Sequence, residues 1–128
     1  MKTVHVPEKY KHYYHDYHFS AAVDAGPLVF LAGCTASHPD RPFAEEPEAQ
    51  FHDAFLKLGA YLDEAGLTFD NIVEITTFHV DLRKHIDLFS AVKDQYIGEP
   101  YPAWTAVGVT EFIPPKALVE IRAVASRA

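Results

Sequence analysis

Cysteine is almost missing from this chain. Cys34 is its single thiol in 128 residues, so no internal disulfide can close and no cysteine cluster can hold a metal. Basic residues are scarce too. Eleven Lys and Arg stand against eighteen Asp and Glu, a net charge of -7, which leaves no broad basic face to neutralise a phosphate backbone and sets nucleic acid aside as a partner. No apolar run approaches the roughly 18 residues a membrane helix needs, so a membrane is set aside as well. The sequence has no basic segment followed by an apolar signal core, no Gly-rich phosphate loop and no internal repeat. The expectation is a cytoplasmic chain, needing no cofactor and binding no metal, folded as one domain over residues 1–128.

What is plentiful is ring chemistry: eight His, nine Phe and seven Tyr, many of both kinds within the first 20 positions. The segment Tyr10 to Phe19 carries His12, His15 and His18 beside Asp16. As an extended arm with about three residues per turn it would line the three imidazoles along one side, a pattern open to zinc. The competing reading is an aromatic arm packed over a cleft or a neighbouring subunit, and structural zinc ordinarily wants a fourth ligand.

Further along, Leu28 to Ala32 is an apolar run opened by Gly26-Pro27 and closed by Gly33, a buried strand with Ser20 to Asp24 placed to pair with it as a hairpin. Ser37 to Pro47, with three prolines, reads as a surface loop. From Glu48 on, Phe51, Phe55, Leu58, Leu62 and Ala65 form one apolar helical stripe, with Pro47 near its first turn and Gly66 past its end. Ile72 to Leu82 is rich in β-branched and aromatic residues and predicts a strand. Ile86, Phe89, Lys93 and Tyr96 predict a second helix ending at Gly98; Trp104 to Val109 and Leu118 to Ala125 predict two more strands. The order ββ, α, β, α, ββ is an α+β layout with two helices on one face of a sheet.

In the last strand Val119, Ile121, Ala123 and Ala125 point one way, and Leu118, Glu120, Arg122 and Val124 point the other. The helices cover the first set. The second is a mixed face that suits another subunit, where Glu120 would be partly desolvated beside a cation and tuned for proton transfer. The alternative is a structural ion pair between Glu120 and Arg122 on a solvated sheet.

Residues 23–33 (Val-Asp-Ala-Gly-Pro-Leu-Val-Phe-Leu-Ala-Gly), Leu-Asp-Glu-Ala-Gly-Leu at 62–67, Thr-Thr-Phe-His-Val-Asp-Leu at 76–82, Tyr-Pro-Ala at 101–103 and Val-Glu-Ile at 119–121 resemble, in order and spacing, the Rid/YjgF family of reactive-intermediate deaminases. The resemblance implies a chorismate-mutase-like α+β fold with a mixed sheet, a homotrimer around a central barrel, and three clefts at subunit boundaries. It also implies hydrolysis of 2-imino acids or their enamines to 2-oxo acids and ammonia, with no metal or cofactor. Glu120 matches the Glu that orients or activates water. The chain departs at the Arg that follows Pro-Ala and grips the substrate carboxylate: Trp104 stands there, with one donor and no charge. Cys34 replaces the usual Gln, Phe19 stands for the cleft aromatic, and the loop before Pro102 is short.

These departures predict a Rid-like hydrolase or deaminase for a small conjugated or aromatic imine or enamine, distinct from the standard imino-acid enzyme. Glu120 would direct water, and His18 would be a second acid or base. Trp104, Phe19 and Tyr17 would shape an apolar pocket, with Cys34 at its edge and Arg122 supplying a polar contact. Trp104 also reads as interface packing, and Cys34 as an inert buried thiol. The reading from another class is a non-catalytic trimer that binds a small metabolite in the same cleft.

Overall fold

The structure is a computed structural model and describes residues 2–128. Six strands form one mixed sheet in the order β1-β2-β3-β6-β4-β5: β1 (Thr3–His5), β2 (Ala22–Ala25), β3 (Leu28–Cys34), β4 (Ile72–His79), β5 (Ala103–Gly108) and β6 (Val119–Ser126). All neighbours are antiparallel except β4 and β5, whose parallel pairing requires the crossover helix between them. The helices are α1 (Lys11–His15), α2 (Pro47–Glu64) and α3 (Leu82–Lys93).

Local chemistry explains the junctions. Pro47 opens α2, where a missing N–H costs nothing, and Gly66 accepts a φ of +75° just beyond its end. Gly26 takes the left-handed conformation in the β2–β3 turn. The α+β expectation and the two-helix cover hold. On β6 the side chains of Val119, Ile121, Ala123 and Ala125 are buried under α2 and α3, where Phe51, Phe55, Leu58, Phe89 and Val92 complete the core. Phe55 stacks on Tyr96 with centroids 4.9 Å apart and meets Phe89 at 5.6 Å.

Three expectations need correction. Strand β1 was not foreseen; it pairs with β2 through Val4 opposite Val23. The strand predicted to reach Leu82 stops at His79, because Asp81 turns left-handed (φ +55°) and lets α3 begin at Leu82. The aromatic arm is not extended: Glu8–Tyr10 is a 3-10 turn that runs directly into α1. The regular register of an extended arm is therefore lost, and among the described residues no three His, Cys, Asp or Glu side chains stand close enough to hold a metal ion. No helix is long and apolar enough to cross a membrane.

Candidate functional site

Glu120 occupies the sheet face that the helices leave bare, opposite Phe78 on β4. On its other side the β3–β6 register slips between Leu31 and Cys34, and this irregularity brings Gly33 over the carboxylate. The approach is so close that a Cβ at Gly33 would lie 2.5 Å from Glu120 Oε1. Glu120 is half-buried, and no Lys, Arg or His of the described residues reaches it within 4 Å. The expected alternative of an ion pair with Arg122 is therefore not formed. Burial pushes the Glu120 carboxyl above its ordinary value, partly opposed by the positive charge of Lys57.

Glu120 forms one wall of a cleft of about 570 Å³, a volume that accommodates a small organic molecule. Tyr13, Tyr17 and Phe19 make the aromatic wall, and Ile113 and Pro114 the outer rim. The Phe19 N–H donates to the Tyr13 carbonyl (3.1 Å), and their rings stack at 5.0 Å. At the back, Thr35, Ser37 and Lys57 bring polar groups together. Lys57 lies mid-helix on α2 and is 2% exposed; its Nζ donates to Ser37 Oγ (2.9 Å) and to Tyr13 Oη (3.0 Å). The ammonium also lies 5.1 Å from the Tyr13 ring centroid and 5.6 Å from that of Tyr10. His38 stands beside them. The Arg41 guanidinium donates to its Nε2, and burial, with Arg41 assisting, lowers its pKa and keeps the ring neutral.

The structure thus brings Glu120, Tyr17 and Phe19 together, as the sequence predicts. It does not bring the others there. His18 adopts a left-handed φ of +62°, which turns its exposed ring away while Tyr17 and Phe19, on either side, both reach the cleft. Trp104 lies against α3 on the far side of the sheet. Its indole N–H donates to Thr77 Oγ1 (3.0 Å), Lys93 Nζ sits 4.5 Å over the ring, and Phe89 packs at 6.2 Å. Arg122 is exposed on the bare face, opposite Thr76, and does not line the cleft. Cys34 points into the core, and burial raises its thiol to about 12, so it offers neither a contact nor a thiolate.

Sequence reasoning missed Lys57, Ser37, Thr35 and the Ile113-Pro114 rim. Ser37 opens a stretch read as a plain surface loop. Lys57 did leave a signal: it falls three residues after Ala54 and four before Tyr61, inside the apolar stripe, where a charged side chain is out of place.

Comparison with known proteins finds relatives of this chain in sequence and in fold. The family model for Endoribonuclease L-PSP matches residues 12–127. The RutC family protein YjgH of Escherichia coli is 39% identical over 98 residues, covering 76% of this chain and 75% of that protein. A RutC family protein of Aquifex aeolicus is 33% identical over 109 residues, covering 84% and 86%. Among solved structures, protein YJGH superposes with a TM-score of 0.87 at 34% identity, covering 98% of this chain and 95% of that one. A Mycobacterium tuberculosis member of the YjgF/YER057c/UK114 family superposes at 0.83 with 29% identity, covering 98% and 99%.

Proposed function

The chain belongs to the Rid/YjgF family, and on that footing we propose that it is a cytoplasmic, one-domain homotrimer hydrolysing a small conjugated or aromatic imine or enamine. The observation that carries this reading is Glu120: a half-buried, unpaired carboxylate whose proton affinity is raised, held over Gly33 at the edge of an aromatic-walled cleft. Water adds to the C=N carbon while Glu120 accepts a proton from it. Glu120 then passes that proton to nitrogen, giving a carbinolamine; a second proton moves from its hydroxyl to nitrogen through the same carboxylate, the C–N bond breaks, ammonia leaves, and a carbonyl remains. A base whose pKa lies closer to neutrality than an ordinary carboxylate suits both transfers. Tyr13, Tyr17 and Phe19 stack on the conjugated part of the substrate. The trimer is supported by the bare sheet face, where Leu28, Phe30 and Val107 are each more than a third exposed.

The test is ammonia release from 2-imino-3-phenylpropanoate generated in situ by an amino-acid oxidase, with 2-iminopropanoate for comparison. The aromatic imine is expected to turn over faster. Glu120→Gln should lower kcat by about a hundredfold or more while ligand affinity is kept. Turnover unchanged by Glu120→Gln would overturn the mechanism, and a native protein that binds ligands without releasing ammonia would be a metabolite-binding trimer.

A further inference from the structure

Of the eleven basic side chains, Lys57 is the one that is both buried and unpaired with a carboxylate among the described residues. Lys9, Lys11, Arg41, Lys93, Lys116 and Arg127 each lie within 4 Å of an Asp or Glu. Lys2, Arg83, Lys84 and Arg122 are exposed to water. Lys57 has neither remedy at close range: no Asp or Glu of the described residues lies within 4 Å of it, and the Glu120 carboxylate that feels its charge is a separate group lining the same cleft. An ammonium removed from water is costly unless something compensates its charge. Its partners here are two hydroxyls and two ring faces, which aim the group and solvate it partly but leave its charge intact. Two of its three N–H bonds have acceptors, leaving one for a ligand.

Lys57 and Glu120 are the two formally charged side chains lining the cleft, with the aromatic wall alongside. We propose that Lys57 is the anion-binding group of this cleft, and that the ligand is a small conjugated or aromatic carboxylate gripped by the Lys57 ammonium. The assignment deepens the hydrolase reading and rests on it for the reacting end of the substrate. The indole at Trp104, on the far side of the sheet, makes no charged contact in the cleft; that contact is then made from α2. A carboxylate fits better than a phosphate group: one ammonium with one free N–H matches a single negative charge, whereas a dianion calls for several donors.

The experiment compares benzoate with its neutral counterpart benzamide by calorimetry on the native protein, Lys57→Met and Lys57→Arg, with crystals of the native protein soaked in 4-bromobenzoate. The native protein should prefer benzoate. Lys57→Met should weaken benzoate at least tenfold and change benzamide less than threefold, while Lys57→Arg keeps most of the preference. In the crystal the carboxylate should lie within hydrogen-bond distance of Lys57 Nζ, a result that does not depend on any variant folding. Equal benzoate affinity in native protein and Lys57→Met overturns the proposal. So does a native Kd for benzoate weaker than about 10 mM, or a carboxylate found elsewhere in the cleft. Glu120→Gln separates this inference from the one before it, because it should still bind benzoate. A native protein that binds benzoate through Lys57 yet releases no ammonia ends the hydrolase reading alone.

Discussion

Glu120 and Gly33 act as a pair, since the carboxylate occupies the space that any side chain at position 33 would claim. The obstructed atoms belong to the Glu120 side chain and not to backbone, so Gly33→Ala should displace the carboxylate without unfolding the protein. Turnover is expected to fall at least tenfold, with a stability change of about 1 kcal/mol or less in denaturant titration; native turnover would show that the position of Glu120 does not matter. In the proposed mechanism the raised pKa of Glu120 also sets the acid limb of the rate profile. With the base form as the active one in that mechanism, kcat/KM should fall as pH drops through a midpoint above the ordinary 4.5 of a Glu carboxyl. A limb at or below that value would show that another group is titrating. In the Glu120→Gln variant the limb should vanish.

At the scale of elements, β4 and α3 are joined by a fully buried histidine. His79 Nε2 lies 2.7 Å from Thr77 Oγ1, its ring meets Phe89 edge-on at 4.7 Å, and its Nδ1 has no partner. Burial, with His85 adding to it, lowers the pKa from 6.5 to about 4. The neutral ring therefore supports the fold above about pH 6.5. As pH falls from there toward 4 the unfolded chain takes up a proton that the folded one refuses, and about 3 kcal/mol of stability is lost. Urea titrations at pH 7 and pH 4.5 should show this loss, and His79→Gln should flatten it; an unchanged slope would mean that the ring finds a proton acceptor in the fold. Helix α2 shows how an element serves packing and site together. Its core stripe carries Phe51, Phe55, Leu58 and Leu62 into the core, and the same buried surface delivers Lys57 to the cleft.

For the whole molecule the decisive quantity is the unburied apolar area on the sheet face away from α2 and α3. A sheet covered on one face only, with Leu28, Phe30 and Val107 open to water, is what self-association hides. Light scattering should give three times 14.4 kDa for the native protein. Phe30→Asp should give the single-chain mass and lower ammonia release at least tenfold, because in the proposed trimer a neighbouring copy closes the rim of the cleft. A monomeric native protein would sink the trimer. Ile113, 99% exposed on that rim, is the side chain most in need of such a neighbour.

Much of this was legible along the chain. Alternation in β6 and the 3.6-residue stripe of α2 depend on local periodicity, and both survive folding because one face of each element must be buried. The same alternation placed Glu120 on the bare face. Tertiary structure decided the rest: which residues from distant elements meet. Trp104 and Glu120 are on strands of one sheet yet face opposite sides, a matter of register. Lys57 and Glu120 come from a helix and a strand sixty-three residues apart in the chain, and only the packing of α2 against β3 and β6 makes them share a cleft. The helical turn at Tyr10–His15, in place of an extended arm, sets the rings of Tyr10 and Tyr13 against Lys57 of α2. Such long-range contacts leave no periodic mark in the sequence, beyond one charged residue in an apolar stripe.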